Sequence, residues 1–116
     1  MNDFKDFESI FKYRDHITSK TSIFISCEAN ELQELVDIMT ANGYIWCSDS
    51  FPSTAIIECY MEKPLPGLVL YGAKSYYFNE TSTPDDDVAY VLKFSDLMHA
   101  DAISVKPEDI FHIIGG

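Results

Sequence analysis

The stretch 21–43 constrains the fold more than any other part of the chain. Residues 21–27 (TSIFISC) are β-branched and apolar, with Ile23, Ile25 and Cys27 on one side and Ser22, Phe24 and Ser26 on the other. That two-residue alternation predicts a strand. Directly after it, Leu32, Leu35, Val36 and Met39 fall at i, i+3, i+4 and i+7, the spacing of one helical face. Asn30 is placed to cap this helix, with Gln33 three residues on, and Gly43 supplies its stop. A strand followed at once by an amphipathic helix must bury both apolar surfaces against each other, which predicts a helix-on-sheet layer.

The rest of the chain adds to that layer. Phe4, Phe7, Ile10 and Phe11 form a helical stripe within 2–13. Strands are expected at 44–47 (YIWC), 54–60 (TAIIECY), 67–71, 75–78 and 88–94, with 67–78 folding back as a hairpin. The polar stretch 79–87 (NETSTPDDD) reads as a mobile loop. Ser95 is placed to cap a short helical turn through Asp96, Leu97 and Met98, and Pro107 opens a last short helix that Gly115 and Gly116 end. The expected fold is α+β: one domain over 1–116 with a mostly antiparallel sheet of about four or five strands. An N-terminal helix, a central amphipathic helix and short C-terminal helices pack on that sheet. A length of 116 residues with 47% apolar side chains suits one core and leaves no room for a second.

Charge narrows the function classes. Nineteen acidic against eight basic residues give a formal charge of −11. Such a surface repels nucleic acid and anionic membranes, so neither is expected as a direct ligand. The excess is uneven. Residues 1–20 balance four acids with four bases, whereas 21–62 hold seven acids (Glu28, Glu31, Glu34, Asp37, Asp49, Glu58 and Glu62) and no Lys or Arg. The absence of an apolar run of membrane-spanning length and the acidic start (MNDFKDFESIFKYRD) lead to an expected cytoplasmic location. Cys27, Cys47 and Cys59 lack C-x-x-C spacing and are expected to be reduced, mostly buried thiols, with one disulfide plus a free thiol as the alternative.

The run Gly43, Tyr44, Ile45, Trp46, Cys47, Ser48, followed by Tyr71–Gly72 and by Lys93, Phe94, Ser95, Asp96 and Leu97, resembles small accessory proteins of tailed bacteriophages. Those proteins pair a β-α unit ending in Gly-aromatic-x-Trp-x-Ser with a Tyr-Gly strand and a final Phe-x-x-Leu. The resemblance implies a setting, that of small acidic proteins that bind and disable host enzymes, in the host cytoplasm. It carries over no site residues.

Catalytic and metal signatures are absent from the residue pattern. His16, His99 and His112 have no ligand partner at i+3 or i+4, and the glycines form neither G-x-G-x-x-G nor G-K-[ST]. His99 with Asp101 has the makings of a base and its orienting carboxylate, although a capping histidine is the simpler reading. Asp85, Asp86 and Asp87 lack the alternating spacing of a calcium loop and read as a solvated run. No catalytic residue, metal or cofactor is therefore expected.

The expected function is protein–protein interaction through an acidic face composed of Glu31, Glu34, Asp37, Asp49, Glu58, Asp85, Asp86 and Asp87. Its expected partner is a basic protein surface, such as that of an enzyme handling nucleic acid or serving in defence. Tyr44, Trp46, Tyr71 and Tyr76 are candidate aromatic contacts. The alternative is a ligand-binding or catalytic pocket between sheet and helices with walls from Trp46, Tyr44 or Tyr71. An oligomerising role is also compatible with this composition.

Overall fold

In the computed structural model, residues 6–16, 22–46, 50–71, 74–83 and 88–99 are described, with the backbone alone for 13–16 and 89. Strand β1 (Ser22–Ser26) and helix α2 (Leu32–Ala41) form where the alternation and the helical stripe place them. Leu32, Leu35, Val36 and Met39 are all buried. A 3-10 turn at Ala29–Glu31 joins the two elements. Its cap is Glu28 rather than Asn30: Glu31 Oε1 accepts the Glu28 backbone N–H at 2.9 Å, so the capping box lies two residues earlier than expected. Gly43, at φ +84°, ends the helix in the left-handed region as expected.

Before β1 comes α1 (Phe7–His16), and Asp6 caps it: Asp6 Oδ1 accepts the Ser9 N–H at 2.9 Å, while Ser9 Oγ accepts the Asp6 N–H at 3.2 Å. After α2 the chain runs β2 (Ile45–Trp46), α3 (Thr54–Met61), β3 (Gly67–Tyr71), β4 (Ser75–Phe78), β5 (Val88–Lys93) and α4 (Phe94–Met98). The expected β3–β4 hairpin is present, with Leu70 opposite Tyr76. Helix α4 starts one residue before Ser95, with Lys93 at the cap position. The expected helix from Pro107 and most of the acidic end of the 79–87 loop lie outside the described residues.

Two larger expectations are corrected as well. Residues 54–60 form a helix, not a strand. Ser53 Oγ accepts the Ile56 N–H at 3.3 Å and nucleates the first turn, and Ile57 buries itself in the core. The paired Ile56–Ile57 also breaks the alternation that a half-exposed strand needs, which β-branched composition alone concealed.

The sheet, moreover, is mixed and five-stranded, in the order β2-β4-β3-β1-β5. Pairs β1–β3 and β3–β4 are antiparallel, but β1–β5 and β2–β4 are parallel. Parallel partners cannot be joined by a tight turn, so these pairings come from segments distant in sequence and leave no local turn signal.

The described helices all contribute to one face of the sheet. Ile10 of α1, the α2 stripe, Ile57 of α3 and Phe94 and Leu97 of α4 pack with Ile23, Ile25, Leu68, Leu70, Tyr76, Phe78 and Leu92. Phe7 meets Phe94 edge-on at 5.7 Å, and Tyr60 stacks on Phe78 at 4.3 Å and fastens α3 to the sheet. The opposite face carries a second cluster of Phe24, Leu65, Val69, Val88 and Val91. Val88 and Val91 share that face because the β1–β5 register shifts between Ser22 and Ile23.

Candidate partner-binding face

Helices α2 and α3 touch each other on the same side of the sheet. Their apolar stripes point down into the core, so their polar residues must face outward. Glu34 and Asp37 are exposed on α2, Glu58 on α3 and Glu62 at its C-cap; Glu28 is exposed at the cap of the 3-10 turn and Glu31 is half-buried. Gln33 Nε2 donates to Asp37 Oδ1 at 3.0 Å, which orients that carboxylate without neutralising it. Among the described residues an ion pair is present on α1, between Lys12 and Glu8 at 3.0 Å, and none involves a carboxylate of α2 or α3. Three of the predicted acids, Glu34, Asp37 and Glu58, are thus exposed on this pair of helices, whereas the fourth, Glu31, sits in the 3-10 turn with its carboxylate on the Glu28 N–H. Asp49, Asp85, Asp86 and Asp87 lie outside the described residues.

The four predicted aromatics separate. Tyr44 and Tyr76 are core residues, 2% and 0% exposed, and cannot serve as surface contacts: Phe11 packs on Tyr44 at 5.5 Å, and Tyr76 meets Phe78 edge-on. Tyr71 is exposed at the end of β3 and tilts against Tyr77 at 5.4 Å. Trp46 is half-buried, edge-on to Phe78 at 5.8 Å.

Trp46 does line a groove, of about 310 Å3, whose other residues are Ile56, Cys59, Tyr60, Lys63 and Glu80. On α3, Ile56, Cys59 and Tyr60 are spaced i, i+3 and i+4 and so form one wall, which Lys63 extends beyond the C-terminal end of the helix, opposite Trp46 of the edge strand β2. Lys63 Nζ sits over the Tyr60 ring, 5.9 Å from its centroid. The strand expectation for 54–60 hid this wall, although the helical spacing was present in the residues. Phe51, 59% exposed, lies just ahead of α3.

A second cavity, of about 370 Å3, opens where the parallel strands β1 and β5 end. Ser26, Cys27, Glu28, Glu31, Pro64, Leu65, Pro66, Lys93, Phe94 and Ser95 surround it. Burial, reinforced by Glu31 and then Glu28, pushes the Cys27 thiol up to about 12, so it stays protonated and is a poor nucleophile. Cys27 and Cys59 are free thiols, the former half-buried and the latter exposed. His99 is a capping residue: its Nδ1 lies 2.7 Å from the Ser95 carbonyl oxygen, a partner that accepts Nδ1–H, and Asp101 is outside the described residues. Among the described residues no helix is long and apolar enough to cross a membrane, and no group of three or more His, Cys, Asp or Glu is placed to hold a metal ion.

No protein-family model, curated protein or solved structure matches this chain, and the resemblance to phage accessory proteins gains no support from those comparisons.

Proposed function

We propose that this protein is an acidic protein–protein interaction module whose α2–α3 layer docks on a basic surface of a larger protein. One observation carries the reading: Glu34, Asp37 and Glu58 are exposed on two helices that touch each other, with Glu62 exposed at the C-cap of the second, and no described residue forms an ion pair with them. A field of one sign steers a complementary partner and raises the association rate, and salt weakens it. In its finer form the proposal is a phage-encoded inhibitor, acting in the host cytoplasm on an enzyme that handles nucleic acid or serves in defence. The basic cleft of such an enzyme, built for phosphates, is the surface that carboxylates would occupy.

The test is affinity capture from bacterial lysate at low ionic strength, followed by elution above about 0.15 M salt, where screening acts within about 8 Å. A discrete basic-surfaced protein retained at low salt and released by salt, and inhibited by the purified module, supports the proposal. Failure to retain any protein at low salt overturns it.

A second reading rests on the cavity beside Ser26, Cys27 and Lys93. It lies outside the carboxyl ends of two parallel strands, where α/β sheets tend to bind small ligands. A small metabolite that raises the melting temperature would favour this reading.

A further inference from the structure

The acidic layer and the aromatic groove lie on opposite flanks of one helix. On α3, Thr54 and Glu58 are one helical turn apart, and Glu62 continues the same row past the C-terminal end. Ile56, Cys59, Tyr60 and Lys63 make the other row, which walls the groove with Trp46 and Glu80. Helix geometry separates the two rows by roughly the 10 Å width of a helix. The core side between them is taken by Ile57, 2% exposed, and α2 lies against α3. A partner crossing α3 therefore meets a half-buried aromatic slot on one side and a pair of carboxylates on the other.

The slot has the composition of a docking hot spot. Trp46 and Tyr60 are the residue types that contribute most when an anchor desolvates them. Both are pre-positioned by packing on a single ring, Phe78, Trp46 edge-on at 5.8 Å and Tyr60 stacked at 4.3 Å, so little side-chain order has to be gained on binding. Within the slot Lys63 and Glu80 carry opposite charges, while the carboxylates of Glu58 and Glu62 are exposed on the other flank of the helix.

We propose that the Trp46–Ile56–Tyr60 groove receives an aliphatic side chain from a partner segment whose flanking Lys or Arg residues engage Glu58 and Glu62 across α3. This deepens the interaction-module reading and rests on it. The occupant is a short basic segment with an apolar anchor; an acidic or uncharged apolar segment does not satisfy the charge on the far flank.

Trp46 is the only tryptophan, so its emission reports the groove directly. The experiment titrates the full chain with the hexapeptide Lys-Lys-Leu-Leu-Lys-Lys and with Glu-Glu-Leu-Leu-Glu-Glu, following Trp46 fluorescence and, in parallel, binding heat. Cys59→Arg fills the groove at an exposed position that the core does not need, and Glu58→Gln with Glu62→Gln removes the flanking charge. Glu34→Gln with Asp37→Asn alters the acidic layer away from the groove.

The expected result is a saturable emission change with the basic peptide alone. Cys59→Arg weakens it about tenfold or more, from loss of the buried anchor. The Glu58 and Glu62 pair weakens it several-fold and the Glu34 and Asp37 pair less. A maleimide adduct on Cys59 reproduces the Cys59→Arg result if that variant unfolds. An absent emission change overturns the proposal, as does equal binding of both peptides or unchanged binding by Cys59→Arg. Binding heat that survives Cys59→Arg but disappears in the carboxylate variants leaves the acidic-layer reading standing and removes the groove.

Discussion

Replacing Gly67 with Ala tests how the centre of the sheet is assembled. Gly67 opens β3 opposite Ser26 of β1, and its carbonyl accepts the Asn79 N–H at 3.0 Å. A Cβ at Gly67 would overlap the Ile25 carbonyl oxygen and lie 2.6 Å from Phe24 Cε1, closer than real Cβ contacts come. One of these neighbours is backbone held in the β1–β3 ladder, so the strands themselves must shift. Overpacking of this kind costs about 2 kcal/mol.

Unfolding entropy for a chain of this length is about 0.24 kcal/mol/K, so the melting temperature should fall by about 8 °C. Gly43→Ala supplies the control. Its Cβ would meet only the Lys74 side chain, at 3.7 Å or beyond, so the cost there is left-handed backbone strain alone. That strain is about 1 kcal/mol, or about 4 °C. Thermal unfolding followed by circular dichroism, with urea titration for the free energy, measures both. A Gly67→Ala protein as stable as the parent, or less affected than Gly43→Ala, would refute the packing argument.

Removing the cap of α3 with Ser53→Ala should cost about 1 kcal/mol, read as a melting temperature about 4 °C lower, because Ile56 N–H loses its side-chain acceptor; no change would mean the cap is dispensable. In alkylation at pH 8 mapped by mass spectrometry, exposed Cys59 should react well before Cys27, and equal rates would contradict the raised Cys27 pKa. The same shift has a pH signature. The thiol's folded value, about 12, is above its ordinary 9.0, so the unfolded chain ionises first. Its stability contribution is complete below pH 9 and disappears as pH rises from 9 towards 12. A Cys27→Ser protein should show a weaker alkaline loss of stability across that window, and identical alkaline profiles would refute the assignment.

Local patterns were legible where one surface decides the structure. The α2 stripe is buried at all four positions because a 3.6-residue repeat has only one way to meet a sheet. The β3–β4 hairpin was legible because its turn is short and lies between two apolar runs. Helix α3 was misread from the β-branched Thr54, Ile56 and Ile57, whose weak strand preference is overridden by the Ser53 cap and by burial of Ile57. Parallel pairing of β1 with β5 was invisible, since it joins Ile23 to Tyr90 with no local signal.

For the candidate site, the outward position of Glu34 and Asp37 followed from the stripe beneath them. Tyr44 and Tyr76 were misplaced because an aromatic residue suits a core and a contact surface equally well, and only the tertiary packing decides. The groove depended on α3 being a helix and became visible only with it.

The central claim is that the carboxylates of α2 and α3 are read by a partner. The most direct measurement is parallel capture from bacterial lysate by the parent chain and by a variant carrying Glu34→Gln, Asp37→Asn, Glu58→Gln and Glu62→Gln. The two proteins are first matched for melting temperature. Exposed ion pairs contribute about 0.5 kcal/mol each, so the four together should weaken binding about thirtyfold. The account predicts a protein retained at low salt by the parent and lost from the variant; equal retention by both would contradict it.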